Sequence, residues 1–140
     1  MSISSRFSVA VHILTLLDYT KDQRISSEFI AGSVNTNPVV IRRIMGQLSK
    51  AGLIATSPGV AGASLTREAN AITLLDVYLA VQQEQRDELF AIHDKPNPLC
   101  QVGRGIQGAL ETSFAKAQYA MEQELARTTI AELAAQMDQT

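Results

Sequence analysis

The sequence predicts a mostly α-helical fold with a small β-wing: a winged helix-turn-helix followed by a long C-terminal dimerisation helix. Residues 26–50 contain two amphipathic segments separated by a short polar turn, which is the pattern of a helix-turn-helix. A glycine-containing hairpin pattern follows directly at residues 53–66. Residues 102–126 then repeat apolar and small side chains at helical spacing. We therefore predict a winged-helix domain at 1–82 and a loop with dimerisation helices at 83–140.

The composition is that of one globular domain, or of a small domain with an extension. The chain has 140 residues, of which 46% are hydrophobic, and no apolar run approaches the ~20 residues that a membrane-spanning helix needs. Its first six residues lack the apolar segment of a signal peptide. Its single cysteine, Cys100, excludes an internal disulfide and fits a reducing compartment. We therefore expect a cytoplasmic protein with no membrane partner.

The charges are unevenly distributed along the chain. The formal net charge is −2, which by itself argues against binding to nucleic acid. Residues 1–70 nevertheless carry seven basic and four acidic side chains, a charge of +3, whereas residues 71–140 carry five basic and ten acidic ones, a charge of −5. This asymmetry favours a DNA-binding first half joined to a second half with another task. Chance is the alternative explanation, because the charges are few.

Two helices are predicted before the polar turn. The first spans residues 5–19 and repeats apolar side chains at helical spacing. Ser26 or Ser27 then caps a short second helix that ends at Val34. The pattern predicts that three apolar side chains of this second helix point inward: Phe29, Ile30 and Val34. The polar turn that follows consists of residues 35–37.

The segment 37–50 is the most informative part of the chain. Asn37 suits an N-cap and Pro38 the first helical turn. One side carries an apolar stripe, whereas the other combines arginines with valines. Such a face suits a DNA major groove, because arginine reaches guanine edges or phosphates and valine contacts thymine methyl groups. With an N-terminal cation and a hairpin glycine, the predicted DNA-binding residues are Arg6, Thr36, Asn37, Val39, Val40, Arg42, Arg43, Lys50 and Gly59.

A two-stranded hairpin, the wing, is predicted after this helix. Its strands cover residues 53–57 and 63–66, and the turn between them covers 58–62, where proline and glycines are concentrated. A capping-box pattern then begins a further helix over residues 73–83. Residues 84–101 are interrupted by prolines and are predicted to be a loop.

The long helix at 102–126 is predicted to hold two chains together. At 1.5 Å per residue it would be ~37 Å long, more than a single winged-helix domain can cover. We assign dimerisation to five residues of its apolar stripe: Ile106, Leu110, Phe114, Ala117 and Met121. A last helix is predicted at 130–137, with Thr129 and Glu132 at its start.

Several of these motifs together resemble one known family along nearly the whole chain. They are Ser5-Arg6-Phe7, residues 10–14, residues 27–31, residues 35–43, residues 59–63, residues 74–78, residues 97–100 and Ile106-Gln107. The sequence resembles the Rrf2 family of bacterial winged-helix transcription regulators. The resemblance implies a homodimer, held mainly by the long C-terminal helix, that binds a palindrome-like operator in double-stranded DNA.

The chain departs from part of that family in its cysteines. Several relatives hold an iron–sulfur cluster with three closely spaced cysteines before the long helix, whereas this chain has only Cys100 there. One thiolate cannot hold a cluster that needs three or four protein ligands, so we expect no cofactor and no metal. Cys100 is instead the candidate sensing residue, for a thiol or another small-molecule effector. The alternative is a buried cysteine that acts as a small apolar side chain.

These observations predict a DNA-binding transcriptional regulator, most simply a repressor, rather than an enzyme. The helix-turn-helix, the wing and the charge distribution agree with one another. The alternative is a winged-helix adaptor that binds another protein through its exposed valines and no operator. Salt dependence would separate the two, because phosphate contacts release counterions and make binding strongly salt-dependent.

Overall fold

The computed structural model describes residues 2–82 and 90–137, which form six α-helices, a two-stranded antiparallel sheet and a short 3-10 turn. In chain order the elements are α1 (Ile3–Tyr19), α2 (Ser27–Val34), α3 (Pro38–Lys50), β1 (Ile54–Ser57), β2 (Val60–Leu65), the 3-10 turn (Ala69–Ala71), α4 (Leu74–Val81), α5 (Gln101–Leu125) and α6 (Ile130–Met137). The predicted fold class, mostly helical with a small wing, is confirmed.

Helix α1 is the central helix of the core. The Ser2 hydroxyl accepts a hydrogen bond from the Ser5 amide at 3.2 Å, and this cap starts the helix two residues before the predicted position. Ala10, Ile13 and Leu14 on its inner face are fully buried. The helix packs against α2, α3, α4 and α6, so it sets the position of both helices of the helix-turn-helix.

Helix α2 begins and ends as predicted but is rotated relative to the predicted inner face. The Ser26 hydroxyl caps it by accepting from the Phe29 amide at 3.1 Å. Ile30 and Ala31 are buried, whereas Phe29 is 54% exposed, so the prediction that Phe29 points inward is wrong. The reason is helical geometry: Phe29 and Val34 are five residues apart and cannot lie on one face of an α-helix.

The wing has a shorter turn than predicted. Strand β2 starts at Val60, which pairs with Ser57, so only Pro58 and Gly59 form the turn. Gly59 has a φ of 74°, a conformation that glycine adopts without steric cost. The prediction of a turn over residues 58–62 is therefore wrong. The glycine at position 62 belongs to a register irregularity within β2 rather than to the turn.

Helix α4 is held in place at its start by local hydrogen bonds. The Thr73 hydroxyl accepts from the Asp76 amide at 3.1 Å, and the Asp76 carboxylate accepts from the Thr73 amide at 2.9 Å. This is the predicted capping box. The helix ends at Val81, and the predicted extension to Gln83 reaches beyond the described residues.

Helix α5 matches its predicted bounds to within one residue, and no residue in it is buried within the chain. The loop before it is packed closely against its first turn. Gly103 is required there, because a Cβ at this position would collide with the Asn97 carbonyl oxygen. Segment 90–92 touches the middle of the helix, where Phe90 and Phe114 have ring centroids 5.7 Å apart.

Helix α6 returns to the N-terminal half of the molecule. The Ile130 amide donates to the Ile72 carbonyl and the Leu74 amide donates to the Thr128 carbonyl, both at 2.9 Å. Ile130 is fully buried in the same core as α1. Helix α6, which lies in the segment 83–140, therefore packs against α1. No described helix combines the length and apolar composition that crossing a bilayer requires.

Candidate nucleic-acid interface

The helix-turn-helix positions α3 through a three-residue turn. Asn35 adopts a left-handed conformation with φ 64°, which asparagine tolerates better than most residues, and its amide closes α2 on the Ala31 carbonyl at 2.8 Å. The Asn37 side-chain oxygen then accepts from the Val39 amide at 2.7 Å and caps α3, with Pro38 in the first turn. Thr36 lies half-buried between these two caps.

Helix α3 has one face in the core and one face in solvent. Ile41, Ile44 and Leu48 are at most 1% exposed, and Met45 packs beside them. The opposite side is exposed and carries Val39, Arg42, Arg43, Gly46 and Lys50. The predicted orientation of the helix therefore agrees with its packing.

The two valines of this helix differ in their surroundings. Val39 is 53% exposed, which leaves its methyl groups free for contact with a ligand. Val40 is half-buried and packs against the core cluster. Only part of the Val40 side chain is therefore available at the surface.

A shallow concave surface lies between the helix-turn-helix and the wing, and the space within it has a volume of about 420 Å³. Ser26 and Ser27 at the start of α2, Ser49 of α3 and Thr56 of β1 line it together with Arg42. The sequence reasoning missed these hydroxyl groups, because a serine before a helix is read only as a cap. Hydroxyl groups and cations beside a recognition helix are typical of surfaces that contact phosphates.

Arg42 is paired with a carboxylate on this surface. Its Nη1 lies 3.6 Å from Oε1 of Glu28, and the side chains are 54% and 70% exposed. Oε2 of Glu28 also accepts a hydrogen bond from the Ser27 hydroxyl at 3.2 Å. The pair joins the first turn of α2 to the exposed side of α3.

Arg6 contacts the end of α4. Its Nη2 donates to the Val81 carbonyl at 3.3 Å in a partly buried position. Val81 is the last residue of α4, where free carbonyl oxygens and the helix dipole favour a cation. At least one donor of Arg6 therefore serves the fold.

The wing is anchored to the segment before α2. The Arg24 Nη2 donates to the Gly62 carbonyl at 3.3 Å, and the Ile25 backbone leaves no room for a Cβ at Gly62. These contacts hold β2 of the wing against the segment that precedes α2. Gly59 lies in the two-residue turn at the end of the hairpin.

The predicted sensing and dimerisation residues lie outside this surface. Cys100 is the exposed N-cap of α5, so the alternative of a buried cysteine is wrong. The five residues of the predicted stripe are half-buried: Ile106, Leu110, Phe114, Ala117 and Met121. The ring of Phe114 packs against the ring of Phe90 in the same chain. Leu99 and Val102 at the start of α5 are 91% and 68% exposed, which leaves an apolar end on this helix.

The comparisons with known proteins agree with this geometry. A model of the Rrf2 family, described as iron-dependent transcriptional regulator, matches residues 3–136. The chain is 51% identical over 128 residues to YwnA of Bacillus subtilis (strain 168), whose name describes an HTH-type transcriptional regulator. That match covers 91% of this chain and 93% of YwnA.

The iron in the description of the family does not fit the donor atoms of this chain. The sequence has one cysteine and two histidines. In the described parts of the chain, no group of three histidine, cysteine, aspartate or glutamate side chains is arranged to hold a metal ion. An iron–sulfur cluster needs three or four such ligands, so the described residues of this chain do not supply a complete ligand set for one.

Solved structures share the fold over nearly the whole chain. A protein described as DNA-binding superposes with a TM-score of 0.76 at 44% identity, covering 91% of this chain and 97% of that one. The oxidised form of CymR from Staphylococcus aureus superposes with a TM-score of 0.69 at 24% identity, covering 96% of each chain. Family match, relatives and fold lead to one conclusion: the chain belongs to the Rrf2 family of transcriptional regulators.

Proposed function

We propose that the protein binds a specific DNA operator as a homodimer and represses transcription from the promoter that this operator overlaps. The observation that carries the proposal is the exposed side of α3, which places Val39, Arg42, Arg43 and Lys50 on one surface next to the wing. This surface lies in the half of the chain that carries net positive charge. The resemblance to relatives described as transcriptional regulators supports the same function.

In this proposal α3 enters the major groove and the wing follows the backbone. Arg43 reaches a guanine edge and Val39 contacts a thymine methyl group, whereas Lys50 and Thr36 contact phosphates. Val40 contacts the DNA only with the exposed part of its side chain. Asn37 contacts the DNA in addition to capping α3. Gly59 allows the wing backbone to come close to the DNA, because it has no side chain.

The direct test is selection of bound sequences from a random duplex pool with purified protein. We expect enrichment of a palindrome-like sequence. Arg43→Ala should then weaken binding to the selected operator by about 10-fold to 100-fold and relax the preference at one base pair, since one good base contact contributes ~1–3 kcal/mol. Unchanged operator affinity in Arg43→Ala would overturn the proposed orientation of α3.

Dimerisation is proposed to occur through α5. This helix has 25 residues and none of them is buried within the chain, although it carries an apolar stripe. A second copy lying along the stripe would cover it and would place two α3 helices about one DNA turn, ~34 Å, apart. Two recognition helices related by a two-fold axis read a palindromic site.

Cys100 is proposed to sense thiol-reactive effectors, because its side chain is exposed just before α5. With a small disulfide, the Cys100 sulfur forms a bond to one sulfur, the other leaves as a thiolate, and the cysteine proton passes to solvent. We expect the wild type to change operator affinity after treatment, Cys100→Ser to be unaffected, and reductant to restore the wild type. Identical behaviour of both proteins would leave Cys100 without a sensing role.

A protein-binding adaptor is the competing function, favoured by the exposed apolar Val39 on α3. The two functions predict different salt dependence. Operator binding should lose ~0.9 units of log affinity per tenfold increase in salt for each phosphate contact. Failure of the selection, together with salt-independent weak binding to every duplex, would favour the adaptor.

A further inference from the structure

The ion pair between Glu28 and Arg42 places a carboxylate on the surface proposed to face DNA. Of the ten described residues that line the concave surface between α2, α3 and the wing, Glu28 is the acidic one and Arg42 the basic one. A carboxylate at the first turn of α2 repels the phosphates that this part of a helix-turn-helix meets. Affinity for the DNA backbone therefore does not explain why a carboxylate is present at this position.

A contribution to folding stability does not explain the carboxylate either. The two side chains are 54% and 70% exposed, and their nearest charged atoms are 3.6 Å apart. Exposed pairs of this kind contribute at most about 1 kcal/mol to folding. The effect of the pair on an approaching polyanion is larger, because a phosphate meets a nearly neutral pair instead of a free guanidinium.

We propose that Glu28 is a specificity-determining residue of the DNA surface, which holds Arg42 and withholds its charge from the phosphates of non-operator DNA. This inference rests on the proposed DNA-binding function. Arg42 engages DNA only where the operator offers contacts that compensate for loss of the Glu28 carboxylate. Specificity is a difference between two affinities, so weaker binding to random sequence raises it as effectively as tighter binding to the operator.

The geometry keeps the carboxylate oriented for this task. The Ser27 hydroxyl donates to Oε2 of Glu28 at 3.2 Å, which leaves Oε1 directed at Arg42. Both residues belong to the start of α2, whose position is set by the Ser26 cap and by burial of Ile30. Glutamine at position 28 can retain the hydrogen bond from Ser27 but not the charge.

The test compares Glu28→Gln with Glu68→Gln on random-sequence duplex and on the operator selected above. Glu68 is an exposed carboxylate outside the concave surface, and its side chain makes no capping hydrogen bond, so it controls for the change of net charge. We expect Glu28→Gln to bind random duplex about tenfold more tightly at 50 mM salt, with a salt slope steeper by about 0.9, as one added phosphate contact requires. Operator affinity should change less than about threefold, so that the specificity ratio falls.

A second variant pair tests whether Arg42 carries the effect. In the Arg42→Ala background, Glu28→Gln should change binding to random duplex no more than Glu68→Gln does. A gain that persists without Arg42 would overturn the proposal. So would a specificity ratio that falls because the operator is lost, since that result assigns Glu28 a direct base contact.

The controls separate failure of this inference from failure of the proposed function. If the wild type binds no duplex in a salt-dependent manner, the DNA-binding function itself is refuted. If the wild type selects an operator but Glu28→Gln behaves like Glu68→Gln, only the role of Glu28 is refuted. Thermal unfolding of each variant verifies that the fold is retained.

Discussion

Gly62 shows how one residue joins the wing to the helical core. Its φ is 92°, and a Cβ at this position would lie 2.9 Å from the Ile25 carbonyl oxygen and 3.1 Å from the Ile25 amide nitrogen. Both atoms belong to backbone, which cannot move aside as the end of a flexible side chain can. Ile25 is itself buried, so the contact cannot open without loss of core packing. The close approach of the wing therefore requires glycine.

Gly62→Ala is expected to lower the free energy of unfolding by about 2–3 kcal/mol, since it combines an unfavourable backbone conformation with a steric clash. Chemical denaturation measures the change. The matched control is Gly32→Ala within α2, where a Cβ meets no atom within 4 Å. That variant should instead be stabilised by about 0.5–1 kcal/mol, because alanine is the better helix former. Equal effects of the two substitutions would contradict the role of Gly62.

Arg6 is a second residue, for which the sequence did not predict the contact with α4. The sequence indicated a cation near DNA, but the guanidinium contacts the end of α4. This contact joins helix ends that are 75 residues apart in the chain, so no local pattern could reveal it.

Arg6→Ala should lower the free energy of unfolding by about 1–2 kcal/mol, as expected for loss of a charged donor at a partly buried carbonyl. Arg6→Lys, which keeps the cation, should lose less. Chemical denaturation gives the stability, and the salt slope of operator binding gives the number of phosphate contacts. A salt slope that falls by about 0.9 in Arg6→Ala, with unchanged stability, would instead assign Arg6 to DNA alone.

At the scale of elements, the accuracy of prediction followed the range of the interactions. Helix α3 was predicted to the residue, because the Asn37 cap, Pro38 and the apolar stripe are local signals. The start of β2 was missed, because it depends on the cross-strand pairing of Ser57 with Val60. The exposed side of α3 was therefore predictable, whereas the ion pair between Glu28 and Arg42 was not. That pair depends on how closely α2 and α3 pack.

Helix α6 was predicted as an element, whereas its packing against α1 was not predicted. A bridge between Thr73 and Thr129 and the burial of Ile130 dock it beside α1 and the start of α4. The end of α5 is thereby connected to the helix-turn-helix through four residues, 126–129, and the packing of α6 on α1.

Ile130→Ala is expected to destabilise the domain by about 2–4 kcal/mol, as large-to-small changes in a core do, although the residue lies far from α3 in sequence. Gln136→Ala on the exposed side of α6 is the control and should change stability by less than about 0.5 kcal/mol. Both values come from denaturant titration. If Ile130→Ala and Gln136→Ala unfold at the same denaturant concentration, α6 is not part of the folded core.

At the scale of the whole molecule, α5 is a helix whose apolar stripe is not fully covered within the chain. Its stripe is only half-buried within the chain, and its N-terminal end exposes Leu99 and Val102 to solvent. Removing apolar area from water is worth about 25 cal/mol per Å², so a second copy along this helix has a substantial driving force. The same pairing would turn one recognition surface into two, which is what a palindromic operator requires.

The wild type should therefore sediment at about twice 15.2 kDa, and Ala117→Glu should sediment as a monomer, because it places a carboxylate in the middle of the stripe. Thr112→Glu is the control: Thr112 is exposed and lies on another side of α5, so this variant should remain a dimer. Ala117→Glu should also lose most of its operator affinity while a half-site duplex is bound equally by both variants, since one α3 helix is unchanged. A wild type that stays monomeric at micromolar concentration would refute the two-fold arrangement. A monomeric Ala117→Glu that binds the full operator as tightly as the wild type would show that the two half-sites are read independently.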